Sequence, residues 1–520
     1  MKEEETSVFC HFPQVKPSRT KIVATVGPAS DSPDMLRSLV KAGVDVFRLN
    51  FAHDGPEGCQ GRLDAIRQTS EELRQPIAVL ADLAGPKMRL GVLPEKERFL
   101  HTGDVIRFVP GEKTDLPDAL TTTYAPLIED LRPGDRVLLA DGTVALEVTR
   151  VDAEGAWCNV VQGGRIRSRQ GVNLPGVRLS VATLQPNDRT NAIWATEVGL
   201  DFLGLSFVRT VEDIRELRAL LAHTAEMKVG ADVWSRLSEG ERRTHYPGII
   251  AKIEKPETLD CLAEIIEESD GVMVARGDLG VEVDIARIAV VQKEIIDVAR
   301  RANKPVIVAT QMLESMTEEL LPTRAEATDV ANAILDGADA CMLSGETAVG
   351  KHPVEAVEMM NRIARETEKI LRLRTPVNPQ PYEQAAVTNM ARKSVPEDVR
   401  VSLAVCDVAG QLADTIAASL IFVATKTGRT ALNLSKMRNF VMTVGTSTNE
   451  AVLRRLCLYW GVIPIGGVPE EPRAMVETIV RLGKDAKFLK ANDRVVLVTG
   501  IGAPNAVRNA LYVHTIEQDS

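Results

Sequence analysis

The residues best able to do chemistry in this 520-residue sequence stand at the ends of two apolar runs. Gly248-Ile249-Ile250-Ala251-Lys252-Ile253-Glu254-Lys255-Pro256-Glu257 reads as a buried, β-branched strand that ends by placing a lysine and a glutamate together. Burying such a pair in a plain core costs desolvation energy, so burial calls for a partner, a metal or a substrate. Further on, Gly271-Val272-Met273-Val274-Ala275 stops at Arg276-Gly277-Asp278-Leu279-Gly280. Lys, Glu and Asp at two strand ends suit a hard cation held by carboxylates beside a fixed ammonium. That combination fits an anionic, phosphate-bearing substrate. Either strand end taken alone reads equally well as a surface ion pair.

Those strands need a scaffold, and the chain supplies a repeating one. Thr20 to Pro28 is a strand closed by Gly-Pro, Ser32 to Ala42 has helical spacing, and Val44 to Phe51 is a second strand. A helix from Gly61 to Arg74 and a strand from Ile77 to Asp82 continue the alternation, which predicts βαβ units and a parallel sheet. From about Met88 to Ser180 short β runs with turn signals replace it, and these predict a small antiparallel barrel inserted into the array. Alternation resumes at Leu200 to Phe207 and continues through the two runs above, Pro305 to Thr310 and Ala340 to Ser344. With the insertion set aside there are eight βα units, the number that closes a (β/α)8 barrel, and the polar residues named so far lie on its catalytic face. A long polar stretch, His223 to Tyr246, exceeds what a tight αβ connection needs and reads as a surface excursion. A Pro-containing linker, Thr375 to Pro381, precedes a third, α/β domain with strands at Ser419–Ala424, Phe440–Val444 and Arg494–Val498. The expected division is a leader 1–17, a barrel 18–87 and 181–374, an inserted β-barrel lid 88–180, and a C-terminal effector and oligomerisation domain 375–520.

Composition narrows the class. A chain 44% hydrophobic and 26% charged is ordinary for a soluble globular protein. A net charge of −10 and a pI near 5.5 argue against nucleic acid as a partner. Seven cysteines with no C-x-x-C pair argue against a zinc cage or a disulfide framework and for a reducing compartment. The start Met1-Lys2-Glu3-Glu4-Glu5 is acidic and lacks an apolar segment, and no apolar run is long enough to span a membrane. The expectation is a cytoplasmic protein.

Six motifs in order carry a family resemblance: Arg48-Leu49-Asn50-Phe51, Gly85-Pro86-Lys87-Met88-Arg89, Lys252-Ile253-Glu254, Arg276-Gly277-Asp278-Leu279-Gly280, Ala309-Thr310-Gln311-Met312-Leu313-Glu314-Ser315-Met316 and Met342-Leu343-Ser344-Gly345-Glu346-Thr347. Together they resemble the pyruvate kinases, over about residues 18 to 515 and including the inserted barrel. The resemblance implies phosphoryl transfer from phosphoenolpyruvate to ADP in glycolysis, giving pyruvate and ATP. It implies Arg48, Ser206, Lys252, Gly277, Asp278 and Thr310 at the substrate. Lys252, Arg48, Thr310 and Ser344 would be catalytic, with Thr310 and Ser344 supporting the water network that protonates the enol carbon. Glu254 and Asp278 would hold Mg2+ (or Mn2+), which usually takes only one or two protein carboxylates. Asn50, His53 and Arg89 match nucleotide-contacting positions, and Arg48 and Arg89 can fork onto phosphoryl oxygens. A nucleotide-contacting lysine of the family aligns near Arg169-Gln170, where Gln170 replaces it, so that contact is not carried over.

The most informative departure concerns potassium. Family members that need K+ supply oxygens from an Asn, a Ser, an Asp and a Thr, with a glutamate nearby. Here Asn50 and Asp82 remain, Ala52 and Leu83 replace the hydroxyl residues, and Lys87 stands at the glutamate position. A tethered ammonium is a compact point charge comparable to K+, so activity without potassium is expected. In the third domain Thr425-Lys426-Thr427-Gly428-Arg429-Thr430 follows a strand and opens a helix, which makes an anion site and resembles the family's sugar-phosphate effector loop. Thr425, Thr427, Gly428, Arg429 and Thr430 are its expected contacts for a sugar phosphate or nucleotide, and Thr499 to Asn505 sits where a closing loop would be. The resemblance also implies a homotetramer with allosteric control. Two other readings compete: a silent effector-binding homologue, and another phosphoenolpyruvate/pyruvate barrel enzyme. Intact Arg48, Lys252, Glu254 and Asp278 speak against the first. The inserted barrel and the C-terminal domain speak against the second.

Overall fold

In a parallel strand covered on both faces, alternate residues meet different neighbours, and both sets are apolar. The computed structural model, which describes residues 9, 18–52, 54–374, 397–499 and 510–518, sorts them that way. Eight parallel strands close into a barrel in chain order: Lys21–Thr25, Val46–Asn50, Ala78–Asp82, Phe202–Leu205, Gly248–Ile253, Gly271–Ala275, Val306–Ala309 and Ala340–Leu343. Ile22, Phe47, Val79, Ile249, Val272 and Val308 pack with the surrounding helices. The alternate set, Val23, Val46, Leu80, Ile250, Met273, Ile307 and Met342, fills the interior. Continuing that inward parity to the C-terminal ends brings Arg48, Asn50, Asp82, Lys252 and Glu254 to the barrel mouth. The first helix, Pro33–Ala42, starts where sequence spacing puts it: the Ser32 hydroxyl accepts from the Met35 N–H at 3.3 Å.

Between the third and fourth barrel strands lies a six-stranded sheet. Its order is Val172–Asn173, Arg136–Leu139, Val144–Asp152, Gly155–Gln162, Val105–Phe108 and Ala119–Leu120. A ribbon of Glu97–Leu100 with Gly164–Arg167 shares its core of Leu100, Phe108, Leu139, Leu146 and Ile166. The pairings are antiparallel except Val105–Phe108 with Ala119–Leu120, which run parallel. The C-terminal domain is a five-stranded sheet ordered Val462–Pro464, Met442–Thr446, Leu420–Ala424, Arg494–Thr499 and Ala510–Thr515, with only the last strand antiparallel. The linker 375–381 lies outside the described residues. Among those described, no helix is long and apolar enough to cross a membrane.

The end of the barrel opposite its mouth is organised by four aspartates, one just before each even-numbered strand. Asp45, Asp201, Asp270 and Asp339 accept from the N–H groups of Ile22, Val79, Ile249 and Val306, at the starts of the preceding odd strands, at 2.8–2.9 Å. Each carboxylate is balanced by cations: Lys21 for Asp45, Arg67 and Arg454 for Asp201, Arg218 and Arg243 for Asp270, Lys436 and Arg438 for Asp339. Arg454, Lys436 and Arg438 belong to the C-terminal domain, which therefore docks on this face through buried charge.

Burial alone would raise the Asp201 carboxyl, but Arg67 and Arg454 outweigh it and hold it below its ordinary value of 3.8. A depressed carboxyl stabilises the fold above its unfolded value, and that contribution fades only as pH falls below about 3.8. Arg454→Met should therefore cost about 3 kcal/mol at pH 7, the low end for halving a buried pair, since Arg67 remains. Denaturant unfolding should show the loss undiminished at pH 5 and narrowing below pH 4; no loss at pH 7 would refute the role of the pair.

The 223–246 stretch lies largely at the surface, as its polarity suggests, but it is anchored at several points. After the helix Val211–Val229 it forms two short helices, Ala231–Arg236 and Glu239–Arg242, and buries Trp234 and Tyr246. Arg455 of the C-terminal domain donates to the carbonyls of Arg243, at 2.7 Å, and Tyr246. The Asn449 amide donates to the Thr244 hydroxyl at 3.3 Å. The segment braces one domain against the other through two backbone carbonyls and the Thr244 hydroxyl, while most of its polar side chains stay exposed or half-buried.

Candidate active site

Lys252 sits on the inward face of the fifth barrel strand and is 8% exposed. Its ammonium donates to the Ser206 hydroxyl at 2.8 Å, and pairs with Glu254 at 2.8 Å and Asp82 at 3.3 Å. Burial would lower its pKa, but Asp82 and Glu254 outweigh that and raise it, so the group stays charged. Ser206 is fixed in turn, donating to the Leu83 carbonyl at 2.7 Å. Arg48, on the second strand, reaches the same Asp82 oxygen through Nε at 3.0 Å and Nη2 at 2.9 Å, and donates to Thr25 Oγ1 at 3.2 Å. Burial would push Asp82 up as well, yet Lys252 and Arg48 together hold it below the usual carboxylate range.

Glu254 behaves differently. Burial raises its carboxyl, Lys252 opposes the rise, and the nearby Asp278 charge adds to it. One of its oxygens accepts from the Phe207 N–H at 2.7 Å. Two carboxylates side by side at the mouth of a barrel match the donor set for a hard divalent ion. Among the described residues no cluster of three or more His, Cys, Asp or Glu forms a fuller protein cage. Asp278 lines a cleft between barrel and inserted domain with Lys87, Phe207, Lys255, Gly171 and Asn173.

Thr310 follows the seventh strand with φ +65°, and Gln311 continues with φ +54°. A β-branched residue rarely adopts that conformation, and each such residue costs about 1–3 kcal/mol, which the surroundings must offset. The Thr310 hydroxyl accepts from the Gly277 N–H at 2.7 Å and donates to the Ala309 carbonyl at 2.6 Å, which ties it to the Gly277-Asp278 turn. Ser344, after the eighth strand, has a buried hydroxyl with no partner among the described residues, while its N–H donates to Glu346 at 2.7 Å. An unpartnered buried hydroxyl at the C-terminal end of a barrel strand suits a water or substrate contact.

The remaining expected positions are less concentrated. Asn50 Oδ1 accepts from the Ala52 N–H at 3.1 Å. Arg89 belongs to the inserted domain, where Nη1 donates to the Arg169 carbonyl at 3.1 Å. Gln170 is occupied locally, accepting from the Arg167 N–H at 2.5 Å. Lys87 is exposed at the cleft and is not within ion-pair distance of Asp82, whose charge Arg48 and Lys252 already balance. In the C-terminal domain Thr425 Oγ1 accepts from the Gly428 N–H at 3.0 Å, Gly428 turns at φ +83°, and the helix Arg429–Lys436 begins there. His53 and residues 500–505 lie outside the described residues.

One supporting group, Asp188, stands outside every motif read from the sequence. Asp188 accepts from the N–H groups of Ala84, at 2.9 Å, and Gly85, at 3.1 Å, and so holds the loop below the cleft. Gly85 is required there: φ is +63°, and a Cβ would meet the Phe207 ring at 2.8 Å.

Comparison with known proteins agrees with this arrangement. The family model for the pyruvate kinase barrel domain matches residues 17–357, and that for the pyruvate kinase alpha/beta domain matches 403–514. A pyruvate kinase of Agrobacterium vitis is 40% identical over 491 residues, 93% of each chain. One from Methylorubrum extorquens is 38% identical over 500 residues, covering 95% of this chain and 97% of its own. A crystal structure of a pyruvate kinase from Cryptosporidium parvum superposes with a TM-score of 0.82 at 30% identity, covering 98% of this chain and 97% of that one.

Proposed function

The chain belongs to the pyruvate kinase family of phosphotransferases, and from that premise we propose that it moves the phosphoryl group of phosphoenolpyruvate to ADP with Mg2+ and without K+. The observation that carries the reading is the buried Lys252–Asp82–Arg48 network beside Glu254 and Asp278 at the barrel mouth. Phosphoryl transfer is mostly positioning and charge neutralisation, and this network supplies both. Arg48 grips a phosphoryl oxygen with the donor capacity that Asp82 leaves free. Lys252 faces the moving phosphoryl group and the enolate oxygen as a fixed positive charge. The bond from phosphorus to the enol oxygen breaks, the bond to the terminal oxygen of ADP forms, and the enolate then takes a proton at its methylene carbon. Thr310 orients the substrate carboxylate, and Ser344 supports the water that delivers that proton. Glu254 and Asp278 are the residues that would hold Mg2+, which when bound supplies charge stabilisation at substrate oxygens. Asn50, His53 and Arg89 are proposed for the nucleotide.

The proposal extends to regulation and assembly. The loop Thr425, Thr427, Gly428, Arg429 and Thr430 takes a phosphorylated effector, the domains divide at 88, 181 and 375, and the protein works in glycolysis as a cytoplasmic homotetramer. Pyruvate formation from phosphoenolpyruvate and ADP with Mg2+ in potassium-free buffer tests the central claim. Full activity is the expected result. Folded protein with no activity, with or without KCl and sugar phosphates, would favour a silent homologue.

A further inference from the structure

Arg276 has no place in the machinery described so far, yet it is 8% exposed and spends its guanidinium on the strained turn beside the substrate site. Its Nη2 donates to the carbonyls of Thr310, at 2.8 Å, and Gln311, at 3.2 Å, the two successive residues with positive φ. Its Nη1 donates to Asp329 at 2.6 Å, on the helix Arg324–Asp336. The next residue, Gly277, donates its N–H to the Thr310 hydroxyl. One short stretch therefore holds both ends of the turn: Arg276 grips its carbonyls, and Gly277 grips its side chain. A planar fork can bridge two carbonyls and a carboxylate at once, which an ammonium cannot do with the same geometry. Persistent strain needs surroundings that over-determine it, and strain of this kind collects where a side chain must be aimed.

We propose that Arg276, anchored by Asp329, is a positioning residue that locks the Thr310–Gln311 turn and so aims the Thr310 hydroxyl at the substrate. The inference rests on reading Thr310 as a substrate-side group. Without the grip the turn relaxes toward ordinary backbone angles and the hydroxyl leaves its place beside Gly277. A displacement of about 1 Å can cost 10²-fold in rate. Asp329 is partly exposed and touches no reacting group, so its effect must pass through Arg276.

The test compares Arg276→Met, Arg276→Lys, Asp329→Asn and Thr310→Ala in the full chain, with thermal midpoints recorded for each. For Arg276→Met we expect kcat/KM for phosphoenolpyruvate to fall about 100-fold while KM for ADP stays within two-fold. Arg276→Lys should recover only part of the loss, and Asp329→Asn should show a loss of several-fold. Pyruvate methyl hydrogens exchange with D2O through the reverse of the proton step, so exchange followed by NMR should slow in parallel. A purely structural role would lower the thermal midpoint and leave the kinetics of folded enzyme unchanged. If Thr310→Ala is costly but the folded Arg276→Lys and Asp329→Asn variants keep kcat/KM within two-fold, the positioning role is wrong. If Thr310→Ala is itself harmless, the reading of Thr310 falls and the proposal falls with it.

Discussion

Replacing Lys252 with Met should lower kcat by about 10²–10³-fold, the scale on which a preorganised charge stabilises developing negative charge. The expectation follows from what surrounds the ammonium. Its three contacts, with Ser206, Glu254 and Asp82, come from three different strand ends, so the charge is aimed before substrate arrives and needs no reorganisation. Because the carboxylates raise its pKa against the effect of burial, the charge persists over the whole working pH range. Methionine keeps the apolar stem and removes only the charge. It also leaves Glu254 buried without its cation, so stability should fall by about 3–5 kcal/mol. That second effect could be mistaken for the first, and a double variant separates them. Adding Asp82→Asn removes a carboxylate left under-compensated and should restore part of the stability, while kcat stays low. Steady-state rates normalised to folded protein decide the matter. A kcat within ten-fold of the parent would remove Lys252 from the centre of the mechanism.

What made this network readable from the sequence was strand parity. Lys252 and Glu254 are two residues apart on one strand, as are Arg48 and Asn50 on another, so each pair must share a face once the strand is assigned. The eight strands themselves were legible because buried parallel strands are nearly continuous apolar runs. The partners that fix the charges were not. Asp82 reaches Lys252, Asp188 reaches Gly85, and Phe207 reaches Glu254 across separations that leave no local pattern. In the 223–246 stretch polarity does signal a surface segment, but nothing local shows that Arg455 and Asn449 of the C-terminal domain reach its Arg243 and Tyr246 carbonyls and its Thr244 hydroxyl. The aspartates before alternate strands carry no meaning in the sequence alone, because only barrel closure shows that each carboxylate meets the start of its neighbour.

Potassium is the other place where a large effect is expected. The parent should run at the same rate in potassium-free buffer and in KCl, compared at equal ionic strength with a non-activating salt. The triple variant Lys87→Glu, Ala52→Ser, Leu83→Thr should lose about 10²-fold without potassium and regain most of it with KCl, again on the scale of one preorganised charge. Three changes are needed because a potassium ion is held by a shell of several oxygens, not by one group. Ala52 and Leu83 offer no side-chain oxygen, so removing the ammonium alone leaves only Asn50 and Asp82 of the side-chain shell. Asp82 cannot hold a mobile ion unaided, since Arg48 and Lys252 already balance its charge. Lys87 stands exposed at the cleft beside Asp278 and Lys255, on a stem long enough to bring its charge toward a bound anionic substrate. A tethered cation of this kind is present at an effective concentration no salt can match, and it should leave the parent indifferent to KCl. If the parent is activated several-fold by KCl, the ammonium does not serve as the missing ion. If Lys87→Ala alone leaves the potassium-free rate unchanged, the charge is dispensable and the substitution at this position needs another cause.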